Sequence, residues 1–251
     1  MIYLKRVIIS MFILLTGVFH ASGVRADEWQ IDIESGMVSS GYNDVKIPRE
    51  TGTEISLTDD LETDSKVYYR LRLSLLKGER HYFSALFAPL ELNASGSVNK
   101  IVTFEGVDFP ANTALEAKYK FNSYRLTYRY GIINKPKLKI GFGFTGKIRD
   151  ARVLVESPTL SSEKTNVGFV PLLSFSLLYM PSGKFSFSLD GDALAAPQGR
   201  AEDVLAAVRY AINDNIQFRV GYRILEGGAD VDEVYNFALL HYLAAGITYS
   251  I

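Results

Sequence analysis

Hydrophobic and polar residues alternate with a period of two over most of this chain, the pattern of strands whose two faces meet different surroundings. The clearest case lies near the C-terminus. Val204, Ala206, Val208, Tyr210 and Ile212 interleave with Leu205, Ala207, Arg209 and Ala211. After Asn213-Asp214-Asn215, residues that tolerate the backbone of a tight turn, Ile216, Phe218, Val220, Tyr222 and Ile224 interleave with Gln217, Arg219, Gly221 and Arg223. Upstream, Tyr124, Leu126, Tyr128 and Tyr130 run against Arg125, Thr127 and Arg129. Leu138, Ile140, Phe142 and Phe144 run against Lys139, Gly141 and Gly143, and Tyr69, Leu71, Leu73 and Leu75 against Arg70, Arg72 and Ser74.

The alternation predicts ten strands, at about 28–41, 66–76, 81–92, 117–130, 137–149, 168–180, 184–195, 203–213, 216–226 and 235–251, with eight and twelve as the alternative counts. Tight turns follow the second, fourth, sixth and eighth strands. Longer polar connections follow the others, at about 42–65, 93–116, 150–167, 196–202 and 227–234. An even strand number with short and long connections in strict alternation predicts an all-β fold, a transmembrane antiparallel up-and-down β-barrel occupying residues 27–251. A soluble sandwich also alternates, but does not require that regularity. Aromatic residues fall near the strand ends in two groups. Trp29, Phe83, Tyr130, Tyr179, Phe185, Phe218 and Tyr249 mark one end, and Tyr69, Tyr119, Phe121, Phe169, Tyr222 and Phe237 the other, as two interfacial girdles would.

The first 26 residues break the pattern. Lys5 and Arg6 precede an apolar run from Val7 to Phe19, and Val24-Arg25-Ala26 offers a cleavage site. Residues 1–26 are therefore expected to be a signal peptide, which removes His20 from consideration and lowers the formal net charge of −1 by the three cations Lys5, Arg6 and Arg25. No basic stripe suggests nucleic acid. The chain has no cysteine, which excludes disulfides, thiolate metal sites and a lipid anchor through an N-terminal Cys.

The leader, the alternating hairpins and the last strand resemble the small bacterial outer-membrane β-barrels of the OmpA, OmpX and OmpW kind. The resemblance covers nearly all of the chain after the leader, as pattern rather than signature. In that family the last strand ends in an aromatic residue that the barrel-assembly machinery reads. Here Leu243, Ala245, Ile247, Tyr249 and Ile251 keep the alternation, but the final residue is Ile. The resemblance implies an outer-membrane location, with lipid and lipopolysaccharide around the wall and the long connections facing outward toward a possible extracellular ligand.

Parity places Asp32, Glu34, Arg70, Arg72, Arg125, Arg129, Lys139, Asp190, Arg209, Arg219 and Arg223 on the lumen face. Buried charges must be paired or wet, and barrels of about eight strands have interiors that side chains fill. A charge network filling the lumen is the expectation, with an ion-selective lining as the alternative. A turn near 199–200 would set Asp190 opposite Arg209, and Gly141 and Gly143 would leave room for Arg125. Outside the leader the only histidines are His81 and His241, and neither falls in a long connection beside Ser or Asp. Ten-stranded omptin proteases and lipid A deacylases need such sets, so no catalytic residue, cofactor or metal is assigned. Asp59, Asp60, Glu62 and Asp64, and Asp230, Asp232 and Glu233, lack the spacing of a calcium loop and read as solvated charge. The expected role is a non-enzymatic protein presenting loops 42–65 and 93–116 for surface interaction, or supporting the envelope. A narrow channel for polar solutes and a rim enzyme are the alternatives.

Overall fold

The structure, a computed structural model, describes residues 27–251. The expected leader, with His20 and its cleavage site after Ala26, lies outside the described residues.

The strands are β1 (Glu28–Lys46), β2 (Ile55–Ser56), β3 (Leu61–Thr63), β4 (Lys66–Lys77), β5 (His81–Ala88), β6 (Glu91–Ser97), β7 (Val102–Phe104) and β8 (Val107–Phe109). They continue as β9 (Ala114–Lys135), β10 (Leu138–Glu156), β11 (Ser161–Tyr179), β12 (Phe185–Ala196), β13 (Gly199–Ala211), β14 (Ile216–Val231) and β15 (Val234–Ser250). Ten of them, β1, β4, β5 and β9 to β15, form the antiparallel wall, and the pairing of β1 with both β15 and β4 closes it. Closure gives each of the ten strands a neighbour on both sides over the inner part of the wall, so that the sheet has no free first or last strand in hydrocarbon. At the seam Gly36, with φ of 150°, pairs with Ala244, and a Cβ at Gly36 would strike the Leu243 carbonyl oxygen. Only glycine fits there.

The wall departs from the predicted strands mainly at its outer end. β1 runs on to Lys46 through a bulge between Ser40 and Tyr42, which switches the inward parity from Glu34 and Val38 to Asn43 and Val45. Proline at 89 separates β5 from β6, yet β6 keeps the same lane against β9. The expected loop 150–167 is instead a hairpin, paired out to Glu156 and Ser161 and turned by Ser157, whose Oγ accepts the Leu160 amide at 3.1 Å. Likewise 196–202 and 227–234 contract to tight turns, because β12 pairs with β13 up to Gly199 and β14 with β15 up to Val234.

The outward face records where lipid stops. On β10, Phe142, Phe144 and Ile148 are exposed apolar side chains. Beyond them Asp150 pairs with Lys120 at 2.7 Å and Arg152 with Glu163 at 3.4 Å. The change from apolar to ion-paired side chains sets the outer boundary of the membrane band near Ile148 on β10, Tyr124 on β9 and Val167 on β11. In the outer aromatic group, Tyr69, Phe169 and Tyr222 do face outward, but Tyr119 and Phe121 do not. Tyr119 is buried inside, and Phe121 packs against the interior clusters.

The connections 42–65 and 93–116 are not merely polar loops. Ile47, Ile55, Leu57, Leu61, Val102, Phe104 and Phe109 are almost fully buried in one cluster with Val153 and Val155 of β10. Together they form a folded cap seated in the raised outer rim, with β2 on β1, β3 on β6 and the β7–β8 hairpin. Truncating Phe109 to Ala removes a fully buried ring and is expected to cost the cap about 3–5 kcal/mol. Protease added outside to the vesicle-embedded protein should then cut within 98–112 while heat-modifiable migration of the barrel is kept. Loss of that migration would mean that cap and barrel are one cooperative unit.

Candidate functional site

Alternation directs the acidic and basic residues of six wall strands into one interior layer. Glu34 of β1 is its first hub. It accepts from Arg223 Nη2 at 2.9 Å and Nε at 3.1 Å, from Arg219 Nη2 at 2.8 Å and from the Tyr68 hydroxyl at 3.2 Å. Arg70 Nε lies 3.9 Å away. Asp203 of β13 is the second hub, with Arg70 Nη2 at 2.9 Å, Arg125 Nη2 at 2.7 Å and Arg223 also bonded. Asp32 binds Arg219 and the Thr248 hydroxyl, and faces Arg72 across the β1–β4 pairing. Asp190 takes Arg209 at 2.8 Å and Arg129 at 3.3 Å, and Asp192 takes Arg125 at 2.8 Å and the Thr145 hydroxyl at 2.8 Å. The Arg129 guanidinium also lies 4.4 Å from the centre of the Tyr82 ring. Charges held out of water in this way stay ionised only because each is compensated.

All ten charged residues singled out as a lumen network in the sequence point into this interior; Lys139, also assigned there by parity, is exposed near the opposite mouth. The register differs from expectation. β12 and β13 turn at 197–198, so Asp190 pairs with Leu205 and Arg209 with Ser186. Arg209 still reaches Asp190 diagonally, donating to Ser188 on the way. Gly143 pairs with Arg129 rather than Arg125, and a Cβ there would collide with the β9 backbone. Sequence reading missed Asp192, Asp203, Lys147 and Arg149. Each shares the inward parity of an assigned neighbour: Asp192 with Asp190, Asp203 with Arg209, and Lys147 and Arg149 with Lys139.

Above the network lies a chamber of about 460 Å³. Tyr119, Phe121, Leu172, Leu194, Leu225 and Ala238 contribute to its apolar wall, and Lys147, Arg149 and Arg125 are among its cations. At the outer surface Arg49 pairs with Asp230, tying the cap to the β14–β15 tip. That hydrogen bond holds the Asp230 carboxyl below its usual range, so the tie is present at neutral pH and is lost as pH falls through the lowered value.

The histidines stand apart from carboxylates. His81 Nδ1 meets the Tyr128 hydroxyl at 3.0 Å, and His241 Nδ1 meets the Tyr222 hydroxyl at 2.6 Å on the outward face. Among the described residues no cluster of His, Asp and Glu is arranged to hold a metal ion.

No protein-family model matches the chain, and no curated protein is similar to it in sequence. Its fold has solved counterparts. The outer-membrane protease OmpT from Escherichia coli superposes with a TM-score of 0.57 at 10% identity, over 92% of this chain and 99% of that one. The translocator domain of the autotransporter NalP from Neisseria meningitidis gives 0.45 at 10% identity, over 98% and 95%. The attachment invasion locus protein Ail of Yersinia pestis gives 0.37 at 10% identity, over 89% and 99%. At these identities the likeness is one of fold alone. The chain has the fold of the small outer-membrane β-barrels, with ten strands, and its apolar outer wall suits it to that membrane.

Replacing Glu34 with Gln strands three guanidiniums and is expected to cost about 3–5 kcal/mol in urea unfolding of the vesicle-embedded protein. Asp190, whose side chain is 23% exposed, should lose clearly less as Asn. Equal losses would contradict the ranking of the two sites by burial.

Proposed function

We propose that this protein is a closed, non-enzymatic outer-membrane barrel whose folded outer cap is its working surface. One observation carries the reading: seven arginines and five carboxylates interlock across the lumen beneath the cap, leaving charge compensation where a channel would need water. Loops 42–65 and 93–116, fixed by their own apolar core, suit a surface that meets lipopolysaccharide or an extracellular partner. The alternation from Leu243 to Ile251 supports recognition by the barrel-assembly machinery. The separation of both histidines from carboxylates argues against a rim hydrolase built on them.

Single-channel recording tests the reading. The refolded chain is expected to leave a planar bilayer silent while folded and inserted. Steady wild-type conductance, with ion selectivity altered by Arg209→Ala or Arg219→Ala, would make it a narrow channel instead.

A further inference from the structure

The barrel wall has a notch. β11 and β12 pair only from Tyr179–Phe187 up to Leu173–Ala193. Beyond that point β12 follows β13 to the turn at 197–198, while β11 continues to Ser161 paired with β10 alone. Strand rise and barrel tilt put the end of pairing about 16 Å above the inner end, in an apolar band about 25 Å tall. The outward side chains of β11 stay apolar above it, with Phe169 70% and Val167 71% exposed. Part of an unpaired strand edge therefore faces the outer leaflet, where unsatisfied backbone N–H and C=O groups are costly. Proline at 171 removes one donor from this stretch.

The notch leads into the chamber. Phe169, Val170 and Leu172 on one side and Leu194, Ala196 and Gly199 on the other belong to the chamber wall. Facing them from β10 are two cations that, among the described residues, form no ion pair. Lys147 is only 4% exposed, lies 4.5 Å from the centre of the Phe121 ring, and has no carboxylate within 4.0 Å among the described residues. Arg149 is bonded to the Asn166 side-chain oxygen, and its buried Nε has no hydrogen-bond partner. Of the carboxylates that line the chamber, Asp203 is already shared by Arg70, Arg125 and Arg223, and Glu226 is paired with Arg200. Keeping a cation buried without a counterion is costly, while an oxyanion in such a site gains charge-assisted bonds.

We propose that the chamber binds an amphiphile with a single oxyanion head, of the fatty-carboxylate class, which enters sideways from the outer leaflet through the β11–β12 notch. The head meets Lys147 and Arg149, and the tail lies along the apolar wall and out through the notch. The chamber volume lies within the range of small-molecule sites. This goes beyond the surface role proposed above and stands apart from it: conductance reports the network, and binding reports the chamber.

The test uses the refolded full chain in lipid nanodiscs, with dodecanoate labelled with carbon-13 at the carboxyl. The expected result is a protein-dependent carboxyl resonance, distinct from lipid-dissolved acid, which saturates and is not displaced by dodecanol. Lys147→Met should weaken binding by about tenfold or more, the scale of one charge-assisted contact. Lys147→Arg should retain it, and Arg149→Gln should weaken it independently, with heat-modifiable migration unchanged in all three. Absence of the resonance, displacement by dodecanol, or wild-type binding by Lys147→Met would overturn the proposal. Binding of water-soluble phenylbutyrate but not of dodecanoate would overturn access from the membrane, assigning the chamber to a soluble external acid.

Discussion

The constraint on which the rest depends is that a backbone in hydrocarbon must bond to itself. A sheet meets it only by closing, and the pairing of β1 with β15 does so here. Closure then dictates the rest of the side-chain pattern. With one face of every strand on lipid, the other face has nowhere to point but inward, so all polar chemistry of the spanning segments accumulates in one narrow space.

That accumulation explains the network. Polar residues cannot leave the lumen without breaking the alternation, and a lumen this narrow has little room for water. Glu34 and Asp203 each hold three guanidiniums, so the interior is cross-braced between strands far apart in sequence. Where the wall rises above the membrane the rule relaxes. Ion pairs appear outside, apolar residues appear inside, and the interior of the rim becomes the core of the cap.

The sequence made the membrane-spanning part legible because lipid imposes an apolar period of two on one face of most strands. It was least legible where lipid ends. Past Ile148 the outward positions of β10 carry Asp150 and Arg152, so paired strand looked like polar loop. In β1 the bulge at Ser40 shifted parity, and the strand seemed to stop at 41. Asp203 escaped notice because the apolar alternation begins only at Val204, although it shares the parity of Arg209. The cap left a readable trace: Ile47, Ile55, Leu57, Val102, Phe104 and Phe109 are too apolar for connections meant only for water. Their contacts join two distant segments, which no local period can reveal.

The wall closes at the β1–β15 seam and opens in a notch between β11 and β12, and residue-resolved amide exchange of the barrel in nanodiscs tests this most directly. Strong protection is expected at the β1–β15 seam and along β11–β12 from Tyr179 to Leu173. Rapid exchange is expected of those β11 amides between 161 and 172 that point toward β12. Uniform protection of β11 on both edges, or an unprotected seam, would contradict this arrangement.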